Sequence, residues 1–189
     1  MGEIYRHFNV VTPLCGDLFS ISAKLLLFFY LIWPKGKFMT HEETFIQLAQ
    51  YWNQAMPFNK LLGLEITQFN SQESVVSIVW DDKLIGNPEQ KILHGGVTAS
   101  ALDLAGGVVA AANILTQLAE LSPEIIAQSL SRLSTIDLRT DFLRPGRGEK
   151  FIATAKIIRS GSKVAVARME MHNEKGDHIA FGTGTYMVG

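Results

Sequence analysis

Residues 94–115, which read HGGVTASALDLAGGVVAAANIL, decide the fold of this 189-residue chain. The stretch is rich in Ala, Val and Gly, and Asp103 is its one strongly charged residue. This length and composition predict a helix that is apolar nearly all round, which has to be covered by other elements rather than laid on the surface. We therefore expect a long central helix wrapped by a sheet.

Alternating polar and apolar residues predict strands on both sides of this helix. Two strands precede it and four follow it, at 64–69, 75–80, 135–143, 151–159, 164–172 and 178–188. A further helix at 40–55 begins with Thr40 and Glu43, which are spaced as a capping box, and a short helix begins at Pro123. Tight turns between strands favour an α+β fold with an antiparallel sheet over a doubly wound one.

The composition fits one domain with a sizeable core, since 47% of the residues are apolar. With 17 basic and 18 acidic side chains, the formal net charge of -1 gives no electrostatic reason to expect a nucleic acid as partner. The single Cys15 excludes an intramolecular disulfide and a multi-cysteine metal site. The histidines show no metal-ligand spacing, although His172 and His178 flank one hairpin turn. We expect no metal and no cofactor.

The first 38 residues differ in character from the rest, so we divide the chain into an extension, 1–38, and a domain, 39–189. Residues 18–33 are mostly apolar but shorter than the roughly 20 residues that span a bilayer, and no signal-peptide cleavage site follows. Three interpretations stay open: a segment outside the functional protein with Met39 as the true start, a weak membrane- or partner-binding appendage, or a transmembrane anchor. We favour the first. We expect a cytoplasmic protein without membrane contact, except through residues 18–33.

The spacing of Asp103 from His94-Gly95-Gly96 carries a geometric argument. Nine helical residues rotate by about 900° and rise by about 13 Å, so His94-Gly95 and Asp103 of one chain cannot easily serve the same reacting carbon. If both are catalytic, Asp103 of one subunit has to meet the His94-Gly95 end of another helix. A twofold dimer supplies two such composite sites.

The stretch LHGGVTASALDLAGG, followed by STIDLRTDFLRPG, resembles the PaaI-like acyl-CoA thioesterases of the hotdog-fold superfamily. The RSGSKVAVARMEMHNEKGD hairpin and the terminal GTGTYMVG are similar to the bacterial medium- and long-chain enzymes of this group. The resemblance extends from about Phe58 to Gly189. It implies a hotdog fold, sites at a dimer interface, and hydrolysis of medium- to long-chain fatty acyl-CoA to the free acid and coenzyme A.

Five residues are candidates for the catalytic machinery. Gly95 stands at a helix N-terminus, where a free backbone N–H suits an oxyanion donor. The resemblance makes Asp103 the general base or the nucleophile. It makes His94 a carbonyl polariser or a loop support, and Thr135 a partner of the attacking water. Asn87 resembles the asparagine that orients the water or thioester, although it lies seven rather than six residues before His94.

Coenzyme A carries phosphates, so we expect a basic rim at the mouth of the site. The substrate-binding candidates come from the helix start and from turns after strands: Gly96, Arg144, Gly146, Arg159, Gly161 and Lys163. For the charged ones, a solvated basic edge is the alternative. Gly106 and Gly107 either leave room for an acyl chain or allow close packing of helix on sheet.

Two other functions stay open. A hotdog enoyl-CoA hydratase or dehydratase would transfer protons on the acyl chain, but the motifs of that branch are not visible. A non-catalytic acyl-CoA-binding module is the other, and Asp103 argues against it. The expected partners are acyl-CoA and further copies of the chain, as a homodimer or a dimer of dimers.

Overall fold

A computed structural model describes residues 21–32 and 39–189. Cys15, and the parts of the apolar run at 18–20 and 33, lie outside the described residues. The helices are α1 (Ile21–Ile32), α2 (His41–Ala55), α3 (Pro57–Leu62), α4 (Gly95–Thr116) and α5 (Pro123–Leu130). The strands are β1 (Leu64–Phe69), β2 (Ser74–Val79), β3 (Ile85–Asn87), β4 (Ile92–Leu93), β5 (Ser134–Phe142), β6 (Lys150–Ser160), β7 (Val164–Asn173) and β8 (His178–Met187).

Six strands form one antiparallel sheet in the order β1-β2-β6-β7-β8-β5, and β3 pairs with β4 in a small ribbon. The α4 helix contacts all six strands of the large sheet. The predicted α+β fold, an antiparallel sheet around a long central helix, is therefore confirmed. The sequence did not predict the β3–β4 ribbon, whose strands are too short to show an alternating pattern.

Burial of α4 forms the centre of the core. Its Leu102, Ala105 and Leu115 side chains are fully buried against the sheet. The Ser74 hydroxyl of β2 donates a hydrogen bond to the Ala105 carbonyl at 2.6 Å, which satisfies a buried polar group inside this apolar contact. By length and composition α4 would pass as a membrane-crossing helix, the one such helix in the described part of the chain. Most of it is enclosed by the protein, as in a core helix.

Two glycines make room for the buried ring of Tyr186 between α4 and the sheet. A Cβ at Gly106 would overlap the Tyr186 hydroxyl oxygen, and a Cβ at Gly184 would lie 2.6 Å from the same atom. A Cβ at Gly107 would meet nothing closer than 3.9 Å. Gly106 therefore serves close packing of helix on sheet, the second of the two uses considered from the sequence.

The α1 helix of the extension packs against the domain. Leu25 is buried, the Phe28 ring lies 4.6 Å from the Tyr51 ring, and the Tyr30 hydroxyl hydrogen-bonds the Glu124 carboxylate. These contacts join α1 to α2 and α5. The division at residue 38 and the three interpretations of the extension stay predictions.

We predict that Gly106→Ala destabilises the protein by about 1–3 kcal/mol, because the new methyl group has to displace the Tyr186 ring. This loss should outweigh the gain of about 1 kcal/mol that Ala brings to a helix interior. Gly107→Ala is the matched control and should leave the free energy of unfolding unchanged or raise it. Urea denaturation measures both, and equal effects of the two substitutions would contradict the packing role of Gly106.

Candidate functional site

The N-terminus of α4 presents a free backbone donor. His94 is the N-cap, and its Nδ1 accepts a hydrogen bond from the Gly96 N–H at 2.8 Å. The His94 carbonyl accepts from the Val97 and Thr98 N–H groups. The Gly95 N–H finds no partner among the described residues. It therefore lies at the positive end of the helix dipole, ready to bind negative charge.

The capping bond also defines what His94 does. Because Nδ1 is the acceptor, the neutral ring carries its proton on Nε2. The neighbouring ribbon holds the cap in place: the His94 N–H donates to the Leu84 carbonyl at 2.8 Å, and a Cβ at Gly86 would lie 2.6 Å from the His94 Cα. The ring therefore caps α4 through Nδ1 and leaves Nε2–H for a ligand, and both roles expected for His94, loop support and carbonyl polariser, stay predictions.

A cleft of about 340 Å³ opens beside Gly95. The Phe142 ring packs over Gly95, where a Cβ would lie 3.3 Å from the ring. Arg144 is at the rim and forms an ion pair with Asp177 at 3.5 Å. Gly146 also lines the cleft, and a Cβ there would meet the Leu93 side chain at 2.8 Å, so its small size is needed for packing.

Asp103 lies further along α4, half-buried and held by two hydroxyl groups. Thr135 Oγ1 donates to Asp103 Oδ1 at 3.0 Å. The Tyr186 hydroxyl lies 3.2 Å from the Asp103 carbonyl oxygen and 3.4 Å from Oδ1. No described residue hydrogen-bonds Oδ2. The structure therefore brings Asp103 and Thr135 together and leaves one carboxylate oxygen free to accept a proton.

Tyr186 is a site residue that the sequence analysis missed. Burial, and then the negative charge of Asp103 and its hydrogen bond, raise the pKa of the Tyr186 phenol above its usual value. The phenol stays protonated at working pH and keeps donating to Asp103. In the sequence, only the alternation of glycine with larger residues in GTGTY hints at this ring. That stretch contains Gly184, but the other glycine beside the ring, Gly106, is on α4.

Asn87 contributes first to its own loop. Its Oδ1 accepts from the Glu89 N–H at 3.0 Å and from the Gln90 N–H at 3.3 Å. These bonds stabilise the turn that leads to Lys91, whose φ of 48° is in the left-handed region. Because Oδ1 of Asn87 is engaged in these bonds, only its amide NH₂ is available to a substrate.

One chain does not bring all the substrate-binding candidates together. Gly96 is in the first turn of α4, and Arg144 and Gly146, after β5, line the cleft beside it. The other candidates, Arg159, Gly161 and Lys163, belong to the β6–β7 hairpin. That hairpin is beside the other end of α4, where Asn113 donates to the Ser160 hydroxyl at 2.8 Å. A second cavity, of about 400 Å³, opens there and is lined by Asn113, Arg132 and Gly161 among others.

His172 and His178 face each other across β7 and β8, as their places beside one turn suggested. Their rings stack with centroids 4.4 Å apart. Glu170 is on the same face of the sheet, which is the face turned away from α4. The three side chains are therefore separated by the sheet from Asp103.

Comparison with known proteins gives concordant matches. Residues 90–180 match the family described as "Thioesterase superfamily". The "Medium/long-chain acyl-CoA thioesterase YigI" of Escherichia coli strain K12 is 46% identical, over 80% of this chain and 97% of that protein. A crystal structure from Shewanella oneidensis, described as related to the thioesterase superfamily, is 48% identical, with a TM-score of 0.76 over 79% of this chain and 97% of that one. A thioesterase family protein from Silicibacter pomeroyi shares the fold at 22% identity, with a TM-score of 0.60 over 77% and 99%.

We predict that His94→Ala lowers the free energy of unfolding by about 1 kcal/mol, because the Gly96 N–H loses its acceptor. His94→Asn is the matched control, since an Asn side chain accepts the same bond from an N-cap position. Thermal unfolding of the two variants should therefore place His94→Asn closer to the original protein. If His94→Ala is as stable as the original, the ring does not cap α4.

Proposed function

Because the chain belongs to the thioesterase superfamily, we propose that it hydrolyses acyl-CoA thioesters to the free acid and coenzyme A. The observation that carries this proposal is the Asp103 carboxylate, with one oxygen held by Thr135 and the other free. Medium- to long-chain fatty acyl groups are the proposed substrates, since the Escherichia coli relative is named for that range.

In the proposed reaction, Asp103 takes up a proton from water and the Gly95 N–H stabilises the negative charge that forms on the carbonyl oxygen. Water attacks the thioester carbonyl, and its proton passes to Oδ2 of Asp103, the general base. Thr135 and Tyr186 hold the other carboxylate oxygen, which fixes the direction of the free one. The Gly95 N–H binds the oxyanion that forms on the carbonyl oxygen, and coenzyme A leaves as a thiolate. Direct attack by Asp103 to form an anhydride is the alternative first step.

We infer further that the site is composite and requires a second copy of the chain. Strand β5 is one of the two edge strands of the sheet. Thr135 at one end of it contacts Asp103, and Phe142 at the other end packs over Gly95. Antiparallel pairing of β5 with its twofold copy brings the Thr135 end of one strand opposite the Phe142 end of the other. Asp103 of one chain then faces Gly95 of its partner, twice per dimer.

Two features of β5 support this arrangement: its unpaired edge and the apolar side chains exposed beside that edge. Apolar side chains are exposed along and just beyond the strand: Ile136, Phe142 and Leu143. An unpaired edge with such residues is a surface that proteins normally cover.

The same pairing of β5 with its copy also brings the basic residues of the β6–β7 hairpin close to the cleft of the other chain. Ser134 of β5 pairs with Met187, and the Val188 N–H donates to the Lys163 carbonyl, so the β6–β7 hairpin lies near the start of β5. In the dimer this hairpin approaches the partner's cleft. We propose that the phosphates of coenzyme A bind Arg159 and Lys163 of one chain together with Arg144 of the other.

We predict that Asp103→Asn lowers kcat by about 10²–10⁴-fold, because the amide does not accept the proton of the attacking water. Release of free thiol from a medium-chain acyl-CoA measures the rate. Asp82→Asn, at an exposed position outside the site, is the matched control and should keep full activity. Retained turnover in Asp103→Asn with an intact oligomer would refute the assignment of the base.

The Gly95 donor allows a sharper test, because proline is well tolerated at the first helical position and lacks the N–H. His94, with φ −63° and ψ 133°, already has the backbone that precedes proline. Gly95→Pro should lower kcat by about 10²–10³-fold. Gly95→Ala adds a similar contact with Phe142 but keeps the N–H, so it should lose much less. An equal loss in both variants would assign the effect to bulk.

A mixed dimer tests the composite site with the same substitutions. One subunit carries Gly95→Pro and the other Asp103→Asn, and two affinity tags isolate the hybrid. One of its two sites then combines an original Gly95 with an original Asp103, so we expect half the activity of the original dimer from two inactive parents. A hybrid as inactive as its parents would place both groups within one chain.

Assays of thiol release and of enoyl-CoA hydration separate thioester hydrolysis from the other two candidate functions, a hydratase and an acyl-CoA-binding module. A panel of acyl-CoA esters from short to long chains, with aromatic ones included, reports both thiol release and the hydration of enoyl-CoA. Thiol release across medium and long chains supports the proposal. Hydration without thiol release would indicate a hydratase, and binding without turnover would indicate an acyl-CoA-binding module.

A further inference from the structure

A cluster of three side chains on the outer face of the sheet is not used by the proposed chemistry. His172 of β7 is paired with His178 of β8 just after a register shift between the two strands. Glu170 precedes His172 by two residues, so its side chain is on the same side. One ligand atom from each residue, a ring nitrogen of each histidine and a carboxylate oxygen of Glu170, lies within 4.8 Å of the other two, and all three residues are half-buried. The inner neighbours, Met169 and Met171, face α4 and the core.

The polar atoms of this cluster lack other partners. His178 Nε2 is buried and has no hydrogen bond. Neither the Glu170 carboxylate nor the His172 ring makes a hydrogen bond or ion pair with any described residue. Two cations line a cleft with Glu170, and both are engaged elsewhere. The Arg168 guanidinium lies 4.0 Å from the centre of the Phe181 ring, and Lys156 forms an ion pair with Glu73 at 3.4 Å. A buried polar atom without a partner is rare in folded proteins and calls for an explanation.

We propose that Glu170, His172 and His178 form a binding site for a divalent transition-metal ion, with Zn²⁺ as the metal that the ligands fit best. Two imidazole nitrogens and one carboxylate oxygen are a common zinc set, with water in the fourth position. Imidazole ligands disfavour Mg²⁺ and Ca²⁺, which prefer oxygen. The metal gives the orphaned His178 Nε2 its partner.

Formation of the site needs only side-chain movement. The two rings are nearly parallel, with an interplanar angle of 15°, so their lone pairs do not yet converge on one point. Rotation about χ2 of histidine meets a broad, shallow energy profile, so the rings can open toward a common ion. The backbone register of β7 and β8 already sets the spacing.

The metal has a structural role at this place. It joins β7 to β8 at the turn between them, on the opposite side of the sheet from Asp103 and α4. The proposal therefore does not rest on the thioesterase assignment. It departs from the expectation of no metal, because the sequence spacing of the histidines does not reveal that Glu170 is on the same face.

The test uses the full-length protein, stripped with a chelator and titrated with Zn²⁺ in equilibrium dialysis. We expect one Zn²⁺ per chain and a melting temperature that rises by about 5 °C when zinc is near 100-fold above its dissociation constant. Millimolar Mg²⁺ should change neither quantity. Anomalous scattering at the zinc edge should place the ion among the three side chains.

Substitutions assign the ligands. Glu170→Gln keeps the shape of the side chain, and His178→Phe keeps a ring beside His172, and each should weaken zinc binding by about tenfold or more. Glu65→Gln, an exposed carboxylate on the same sheet face, is the matched control and should bind zinc as the original does. Unchanged zinc affinity in both ligand variants, or less than one ion per chain in the original protein, would overturn the proposal.

Discussion

The enclosure of α4 by the sheet is the constraint on which the other features of the domain depend. A helix that is apolar on every side is stable in water only if other elements cover it, and the six strands do so. The same enclosure decides where polar chemistry is possible. Asp103 is tolerated because Thr135 and Tyr186 supply hydrogen bonds at the one place where it meets the sheet.

Helix direction adds a second constraint. An α-helix has its unpaired N–H groups at one end only, so the Gly95 donor is fixed at the start of α4. Asp103 is two turns further along, on a different side of the same cylinder. Because the helix is rigid, the Gly95 N–H and the Asp103 carboxylate of one chain cannot easily reach the same carbon atom. In the proposed dimer, this geometry is the reason for dividing the two roles between two chains, and strand β5 is the element that would relate the two halves.

Much of the domain could be predicted from the sequence because its signals are local. The capping box at Thr40 and the alternation in β5 to β8 each lie within a dozen or so residues, and the apolar run of α4 is one continuous stretch of 22. The structure confirms those elements. The His94-Gly95-Gly96 start and the lone charge of Asp103 are also visible in a short window. Their spatial relation to Thr135 came from the resemblance, and the structure brings the two side chains into contact.

What could not be predicted depends on groups far apart in the chain. Tyr186 reaches Asp103 only because Gly106 leaves a gap opposite it, and no local pattern joins positions 80 residues apart. The β3–β4 ribbon is too short to show a period, so the turn-forming bonds of Asn87 stayed hidden. Glu170 joins the two histidines through strand register, which a count of residues between histidines does not show.

The exposed edge of β5 has a consequence for how the sequence of this strand can evolve. An uncovered row of backbone N–H and C=O groups, flanked by Ile136 and Phe142, is a template on which other chains can aggregate. In the proposed dimer, the pairing that hides this edge is also the pairing that assembles the site. Resistance to aggregation and catalytic competence would then be subject to selection on the same nine residues, so neither property could be altered there without affecting the other.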